Sequence, residues 1–303
     1  MTDPLVLALD GSTDTCAAAL LSYRSLQGGP RTWEVVAKRA VHDGRGQARV
    51  LLGLVDDMLA EVYGAAADIA AIVAGTGPGT FTGVRIAVAT ARSLALALRT
   101  PVLGVSTLGA LAAAAAAKAR VGVIVPVIDA RRGQVFYGVY DPVDTAETDG
   151  GAPPLWRRLG EHAVCDRSEF VEILADLAGP RGEMTVIGAA TALAERIEAI
   201  ASGSGVRVRV AAVEAQWLVC GQDRLREPGG APAGDRLQPY LTDSIVRRQG
   251  EKGIPDRLHV RAEVVELEVG QVGSPESVKP IYVRAPDADI HITKMRDPWA
   301  TGR

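Results

Sequence analysis

The chain has 303 residues, of which 48% are hydrophobic, 23% are charged and only 4% are aromatic, and its net charge is −3. These values predict a soluble globular protein of two lobes with a core of Val, Leu, Ile and Ala, and neither a secretory signal nor a membrane span is expected. The acidic balance argues against a protein that grips nucleic acid alone, because such binding depends on neutralising phosphates.

The first third of the chain alternates strand patterns with helix patterns. Apolar runs separated by polar turns predict hairpin strands, and apolar residues at three- and four-residue spacing predict helices. In chain order we expect strands at 5–9, 16–21 and 32–41, a helix at 49–63, a strand at 69–74, a helix at 83–98, a strand at 101–105 and a helix at 108–119.

The opening pattern returns after residue 120. A strand at 121–128, a turn at 129–133 and a strand at 134–140 repeat the first hairpin, and Asp10 and Asp129 each come directly after an apolar strand. Two copies of one unit predict a duplicated α/β fold. Further on we expect a loop at 141–154, helices at 168–178 and 191–201, strands at 184–187 and 206–210, a helix start at 214–220, a linker at 228–234 and a docked extended segment at 278–288.

The most distinctive stretch is the glycine segment, residues 75–85, with the sequence Gly-Thr-Gly-Pro-Gly-Thr-Phe-Thr-Gly-Val-Arg. It lacks the Gly-Lys-Ser/Thr ending of a P-loop, and no Gly-x-Gly-x-x-Gly fingerprint fits it. Pro78 also removes an N–H donor where a phosphate would need one. A tight structural turn is the favoured interpretation, and an anion cradle is the alternative.

The turn after the first strand has the composition of a phosphate-binding hairpin. Asp10 is suited to hold Mg²⁺ through water, and Ser12 and Thr13 offer hydroxyl groups. The same residue types dominate ordinary turns, which is the favoured interpretation of this tetrapeptide taken alone.

The helix at 83–98 carries a stripe of small residues. Apolar residues flank the stripe, and arginines recur every seven residues on one side; the stripe is Ala87, Ala91 and Ala95, the flank is Val84, Val88 and Leu98, and the arginines are Arg85, Arg92 and Arg99. Periodicity favours a helix buried against its own sheet with arginines at the rim. The alternative is that part of this face meets a partner helix.

Searches for metal and nucleophile motifs find none. The four histidines are isolated, without His-x-x-x-His spacing, and no Gly-x-Ser-x-Gly elbow occurs. Cys16, Cys165 and Cys220 are far apart, which suits a reducing compartment. A carboxylate pair of Asp10 and Asp129 across a cleft is a further possibility that sequence does not decide.

Five motifs resemble the bacterial TsaB (YeaZ) family. They are Leu-Ala-Leu-Asp-Gly-Ser-Thr at 7–13, the glycine segment, Pro-Val-Leu-Gly-Val-Ser-Thr-Leu at 101–108, Ile-Asp-Ala-Arg-Arg-Gly at 128–133 and Pro-Ile-Tyr-Val-Arg at 280–284. The glycine segment is specific, and the others occur in family order. The resemblance implies a duplicated actin/Hsp70-like (ribonuclease-H-like) fold and a role in threonylcarbamoyl modification of the adenosine next to the anticodon of tRNA.

The resemblance also implies a division of labour with a paralogue. The family is similar to TsaD, the transferase subunit, whose Asn-His-x-x-x-His motif binds metal. The matching positions here are Ser106, Thr107 and Leu111, and neither Thr107 nor Leu111 can replace imidazole. The implied function is a non-catalytic subunit that heterodimerises with a TsaD-type subunit. A phosphotransferase or carbamoyltransferase that uses ATP through Asp10 is the alternative.

By family implication, the helix at 83–98 becomes the partner face, with Val84, Arg85, Val88, Ala91, Arg92 and Ala95 as interface residues. The isolated chain is expected to form a homodimer, and a TsaE-type ATPase is a further candidate partner. Contact with tRNA is expected only through the complex. No tightly bound cofactor is expected; ATP is a candidate at the partner interface, and Asp10, Ser12 and Thr13 are the candidate cofactor-binding residues. The expected location is the cytoplasm.

The expected domains are a partner-facing first lobe at 1–105, a second lobe at 106–223 with a final helix that returns to the first, a segment at 224–277 that is an insertion or flexible, and a docked tail at 278–303. The chain departs from the family at Gly11, where Thr is frequent, and at Gln47, where His is common. The segment 224–273 has no obvious family counterpart.

Overall fold

The structure is a computed structural model, and it describes residues 4–25, 31–42, 47–62, 64–118, 122–143, 155–181, 183–188, 206–210, 213–220, 225–226, 272–273, 278–281 and 283. The first half contains β1 (Leu5–Asp10), β2 (Thr15–Ser25), β3 (Arg31–His42), α1 (Gln47–Glu61), β4 (Ile69–Gly75), α2 (Phe81–Leu98), β5 (Val102–Val105) and α3 (Thr107–Ala116). The second half contains β6 (Val123–Arg131), β7 (Gln134–Pro142), β8 (Trp156–Asp166), α4 (Arg167–Arg181), β9 (Met184–Gly188), β10 (Val206–Val210), β11 (Leu225–Arg226) and β12 (Val272–Gly273).

The two halves build two sheets in which five strands have the same order, and a short sixth strand is added at a different edge of each sheet. The first sheet runs β12-β5-β4-β1-β2-β3, and the second runs β10-β9-β6-β7-β8-β11. In each, the first strand pairs antiparallel with the second and parallel with the fourth, as β1 does with β2 and β4, and β6 with β7 and β9. The predicted duplicated actin-like α/β fold with two lobes is therefore confirmed.

Alternation along the strands fixes the layers, because successive side chains point to opposite faces of a sheet. In β1, Leu5, Leu7 and Leu9 pack with α1 and α2, whereas Val6 and Ala8 pack with α3 and a short 3₁₀ helix at Ala215–Leu218. All ten residues of α3 are buried, and the helix also packs against the second sheet. Helix α3 thus joins the two sheets, and the opposite face of the second sheet carries α4.

The structure departs from the predicted elements in three places. Strand β8 was not predicted, and β6 continues through residues 129–131, which were expected to be a turn. The helix start expected at 214–220 is a 3₁₀ helix, and it packs against the first sheet. The helix expected at 191–201 lies outside the described residues.

The two ends of the segment 224–277 are tied to different sheets. Strand β11 pairs with β8, and β12 pairs with β5. The residues between these strands lie outside the described part of the chain, so the expectation of an insertion or flexible segment stays a prediction there.

Helix α2 is long and apolar enough to cross a membrane by length and composition alone. Its apolar side is packed on the first sheet through Val84, Ala87, Val88, Ala91 and Ala95, all nearly inaccessible to solvent. A core helix of a globular protein passes the same test.

Strand β8 buries a histidine beside an arginine. The Nε2 atom of His162 is buried and has no hydrogen-bond partner within the described part of the chain. The ring lies 3.1 Å from the position that a Cβ at Gly138 would take. Burial and, to a smaller extent, the charge of Arg158 together lower the pKa of His162 to about 3. The imidazole is therefore neutral in the folded protein.

We expect acid to destabilise the fold through His162. The unfolded chain takes up a proton near pH 6.5 and the folded chain only near pH 3, so stability present above pH 6.5 is lost as the pH falls between these values. The free energy of unfolding should fall by about 2 kcal/mol between pH 7.5 and 5. Urea titrations of His162→Leu should lack this component, whereas His42→Leu, at an exposed site, should keep it. Equal pH profiles of the wild type and His162→Leu would contradict the assignment.

Candidate functional site

The glycine segment is held against the turn after β1 by contacts that leave no room for a side chain. A Cβ at Gly75 would lie 1.9 Å from Oδ2 of Asp10, and a Cβ at Gly79 would lie 2.1 Å from the carbonyl oxygen of Ser12. The N–H of Thr80 donates to that same carbonyl at 2.6 Å. Glycine is required at these two positions because the backbone itself is the packing surface.

A buried hydrogen-bond network, which we call the Asp10 network, centres on the carboxylate at the end of β1. The N–H and hydroxyl of Ser12 donate to Oδ1 of Asp10 at 2.9 and 2.6 Å. The hydroxyl of Thr107 donates to Oδ2 at 2.9 Å and accepts from the N–H of Gly77 at 3.2 Å. Asp10, Ser12 and Thr107 are all buried, so the network ties β1, the glycine segment and α3 together away from solvent.

Burial raises the pKa of Asp10 above its usual range, and the hydrogen bonds from Ser12 and Thr107 only partly oppose this effect. Thr107 is the first residue of α3, so the positive end of that helix dipole also faces the carboxylate. Burying the charged form of Asp10 therefore costs free energy, and the hydrogen-bond donors of Ser12 and Thr107 stabilise that form.

The structure brings Asp10 and Ser12 together but uses their polar atoms internally. Thr13 is half-buried, and its hydroxyl oxygen accepts from the N–H of Thr15 at 3.2 Å. Both carboxylate oxygens of Asp10 accept hydrogen bonds from the protein. Nucleotide binding by these three residues stays a prediction, and it would require the network to open.

The positions that the resemblance matches to metal ligands of the paralogous family have structural roles in this chain. Ser106 caps α3 by accepting from the N–H of Gly109 at 3.3 Å. Thr107 belongs to the Asp10 network, and Leu111 lies in the core shared by α3 and the second sheet. Within the described ranges, no group of three or more His, Cys, Asp or Glu side chains is placed to hold a metal ion.

Sequence reasoning missed the role of Thr107, which it considered only as a lost ligand. The available signal was a hydroxyl residue at the start of the helix that follows β5. The strand order was needed to place it, because β4 lies between β1 and β5 in the sheet.

Asp10 and Asp129 are engaged separately and in different ways. Asp129 accepts from the N–H of Arg131 at 2.8 Å and from Nη2 of Arg167 at 3.1 Å. Arg131 also forms an ion pair with Asp14, which links the first hairpin of one lobe to that of the other. Asp10 is thus held by Ser12 and Thr107, and Asp129 by the N–H of Arg131 and an ion pair with Arg167. A carboxylate pair across a cleft stays a prediction.

Helix α2 presents a different face from the one expected. Four of the six predicted interface residues, Val84, Val88, Ala91 and Ala95, are buried in the core of the first lobe. They pack against the sheet and α1, so they are not available to another chain in this fold. Arg85 is exposed and Arg92 is partly exposed, and these two keep the predicted place at the surface.

The outer side of α1 and α2 exposes large apolar side chains. Leu96 is 71% exposed, Leu52 is 46% exposed and Phe81 is 37% exposed. The guanidinium carbon of Arg85 lies 3.6 Å from the ring centre of Phe81. We call these four residues on two packed neighbouring helices the outer helix face.

Known proteins resemble this chain in sequence and in fold. The family described as TsaD, tRNA N6-adenosine threonylcarbamoyltransferase, matches residues 44–153. The tRNA threonylcarbamoyladenosine biosynthesis protein TsaB of Haemophilus influenzae is 32% identical over 169 residues, which cover 56% of this chain and 67% of that protein. TsaB of Escherichia coli is 35% identical over 135 residues, which cover 45% of this chain and 54% of that protein.

The structural likeness extends further along the chain than the aligned sequence. YeaZ from Pseudomonas aeruginosa superimposes with a TM-score of 0.54 and 26% identity over 92% of this chain and 99% of that one. The sequence alignments span about half to two thirds of the length of the curated relatives.

Proposed function

The chain belongs to the TsaB (YeaZ) family, and from that premise we propose that it is a non-catalytic subunit in the biosynthesis of threonylcarbamoyladenosine in tRNA. The proposal assigns it a TsaD-type transferase subunit as its partner, with the first lobe forming the contact. The main support is Thr107. By the resemblance it occupies the position of a metal-binding histidine in the paralogous family, and here its hydroxyl is hydrogen-bonded within the Asp10 network.

The residue chemistry of that place supports a structural role. The hydroxyl of Thr107 is fully buried between Asp10 and Gly77, and Leu111 is 2% exposed among apolar neighbours. The hydroxyl of Thr107 donates its one proton to a carboxylate, and the side chain of Leu111 is aliphatic. Neither residue offers an imidazole nitrogen to a metal. The match of residues 44–153 to the TsaD family includes both positions, which strengthens the correspondence.

The outer helix face supports the pairing. Three of the six large apolar side chains that are exposed among the described residues lie on α1 and α2, namely Leu52, Phe81 and Leu96. Phe81 and Arg85, which are in contact at the start of α2, are of the residue types enriched at interfaces. We therefore move the partner contact from the buried alanine stripe to these exposed residues.

A charge placed on the outer helix face should break the complex without unfolding the chain. We expect Leu96→Asp to weaken association with the TsaD-type subunit at least about tenfold, because a carboxylate would be desolvated at the interface. Isothermal titration calorimetry with both purified subunits measures the affinity.

The matched control is Leu159→Asp, which makes the same change at a 37% exposed leucine on β8 of the second lobe. It should bind as the wild type does. Equal affinities of the two variants would place the contact elsewhere, and no binding by the wild type would refute the pairing itself.

The remaining assignments follow from family membership alone. They are a homodimer through the first lobe when the partner is absent, ATP at the interface with the partner, contact with a TsaE-type ATPase, access to tRNA only through the complex, and a cytoplasmic location. Sedimentation of the isolated chain with and without Leu96→Asp tests the first of these.

A further inference from the structure

The C-terminal segment supplies a core residue to the first lobe. Val278 is 1% exposed and lies in the same apolar cluster as Val84, Val88 and Val102, on the α2 side of the first sheet. The chain reaches this place after β12, which pairs with the outer edge of β5. Residues 272–273 thus lie at the edge of the sheet, and Val278 lies on the face that α2 covers.

Gly104 of β5 leaves the space that Val278 fills. A Cβ at Gly104 would lie 3.2 Å from Cγ1 of Val278 and 2.8 Å from Cγ2 of Thr76. The isopropyl group of Val278 thus takes the place of a side chain that the strand itself does not have. A buried valine packed over a glycine is a specific contact, because a void there would cost both transfer and packing energy.

The next residues of the segment hold the glycine segment itself. The N–H of Ile281 donates to the carbonyl oxygen of Thr76 at 2.7 Å. A Cβ at Gly77 would lie 3.4 Å from the carbonyl oxygen of Ile281 and 3.1 Å from Cγ2 of Val84. The tail, the glycine segment and the first turns of α2 are therefore packed directly on one another.

We propose that residues 278–281 form a strap that fixes the position of the first turns of α2, and so controls the outer helix face at Phe81 and Arg85. Residues 76–88 have contacts with the strap on one side and with the turn after β1 on the other. Loss of the strap would remove the contacts on one side of residues 76–77 and Val84, and would leave those with the turn after β1, with Thr107 and with the core of the first lobe. The effect on partner affinity rests on the function proposed above, whereas the effect on α2 does not.

Amide hydrogen exchange of the full-length chain tests the strap, with Val278→Ala as the variant and Val283→Ala as the matched control. Val283 packs against the cluster of α3 and the second sheet, so it removes the same atoms from a different place. We expect Val278→Ala to speed exchange in residues 76–88 about tenfold, because local opening becomes easier when a buried side chain is cut back. Exchange in β6 should not change, and Val283→Ala should leave residues 76–88 as they are.

Two results would overturn the strap. One is unchanged exchange in residues 76–88 of Val278→Ala, and the other is equally fast exchange there in both variants. Calorimetry with the TsaD-type subunit then tests control of the face, where Val278→Ala should bind several-fold more weakly than Val283→Ala. Equal affinities would overturn that control. A wild-type chain that does not bind at all would refute the pairing, and the exchange result would still decide the strap.

Discussion

Gly75→Ala is expected to destabilise the protein by at least about 3 kcal/mol, although it adds only one methyl group. The new Cβ would lie 1.9 Å from Oδ2 and 2.7 Å from Cγ of Asp10. Neither side can yield easily, because Asp10 is held by Ser12 and Thr107 and Gly75 is hydrogen-bonded within the sheet. Urea denaturation followed by circular dichroism measures the free energy of unfolding.

Gly53→Ala is the matched control for this substitution. Gly53 lies inside α1, and an added Cβ would meet nothing within 4 Å. The same change should therefore stabilise the protein by about 1 kcal/mol, since alanine loses less backbone entropy than glycine in a helix. A Gly75→Ala protein as stable as the wild type would show that the close approach of the glycine segment to Asp10 is absent.

Periodicity predicted the framework of the fold because its signals are local. The apolar runs of β1 and β4 are buried on both faces, so their sequences are nearly continuous and easy to detect. The repeat of an Asp after an apolar strand identified the duplication before the two sheets were seen. Each of these patterns needs only neighbouring residues to be visible.

Strand β8 could not be predicted in the same way because its alternation is broken. Gly160 has a φ of 63°, and the pairing with β7 shifts register between Tyr137 and Val139. The buried positions include Arg158 and His162, which are polar. A bulge and two buried basic side chains remove the period of two on which strand prediction depends.

The face of α2 illustrates a different limit. The alanine stripe correctly indicates close packing, but sequence does not say what the stripe packs against. A Cβ at Gly11 would lie 3.6 Å from Cβ of Ala87 and 3.1 Å from the carbonyl oxygen of Gly83, so the first hairpin already fills this contact. The approach of a turn 76 positions earlier in the chain than Ala87 (87 − 11 = 76) leaves no trace in the local pattern. The local sequence around Leu96, by contrast, does not distinguish this exposed side chain from a leucine of the core.

The Asp10 network could not be predicted as a unit from local sequence, since each member is an ordinary turn or helix-start residue on its own. Asp10 ends a strand, Ser12 lies in a turn and Thr107 starts a helix. Only the sheet order places the hydroxyl of Thr107 on the carboxylate. Local sequence therefore predicts the parts of this site, and tertiary structure alone assembles them.

Thr107→Val should cost about 3 kcal/mol of stability, because it leaves both Oδ2 of Asp10 and the N–H of Gly77 without their present partner while it keeps the side-chain shape. Thr100→Val is the matched control. Thr100 is also buried, but its hydroxyl has no hydrogen-bond partner among the residues that the structure describes, so the same change there should be neutral or stabilising. Urea denaturation of the two variants and the wild type gives the difference.

The pH dependence of stability shows how much of the effect of Thr107→Val comes from the hydrogen bond between Thr107 and Asp10. The bond from Thr107 lowers the pKa of Asp10 against the stronger effect of burial, so its loss should raise that pKa further. A raised folded pKa means that stability is retained at low pH and lost as the pH rises through it. The deficit of Thr107→Val should therefore be largest near neutral pH and shrink as the pH falls, and Thr107→Ser should restore the wild-type profile. A deficit that is constant with pH would mean that the loss comes from the N–H of Gly77, which does not titrate, and that the carboxylate does not depend on the hydroxyl of Thr107.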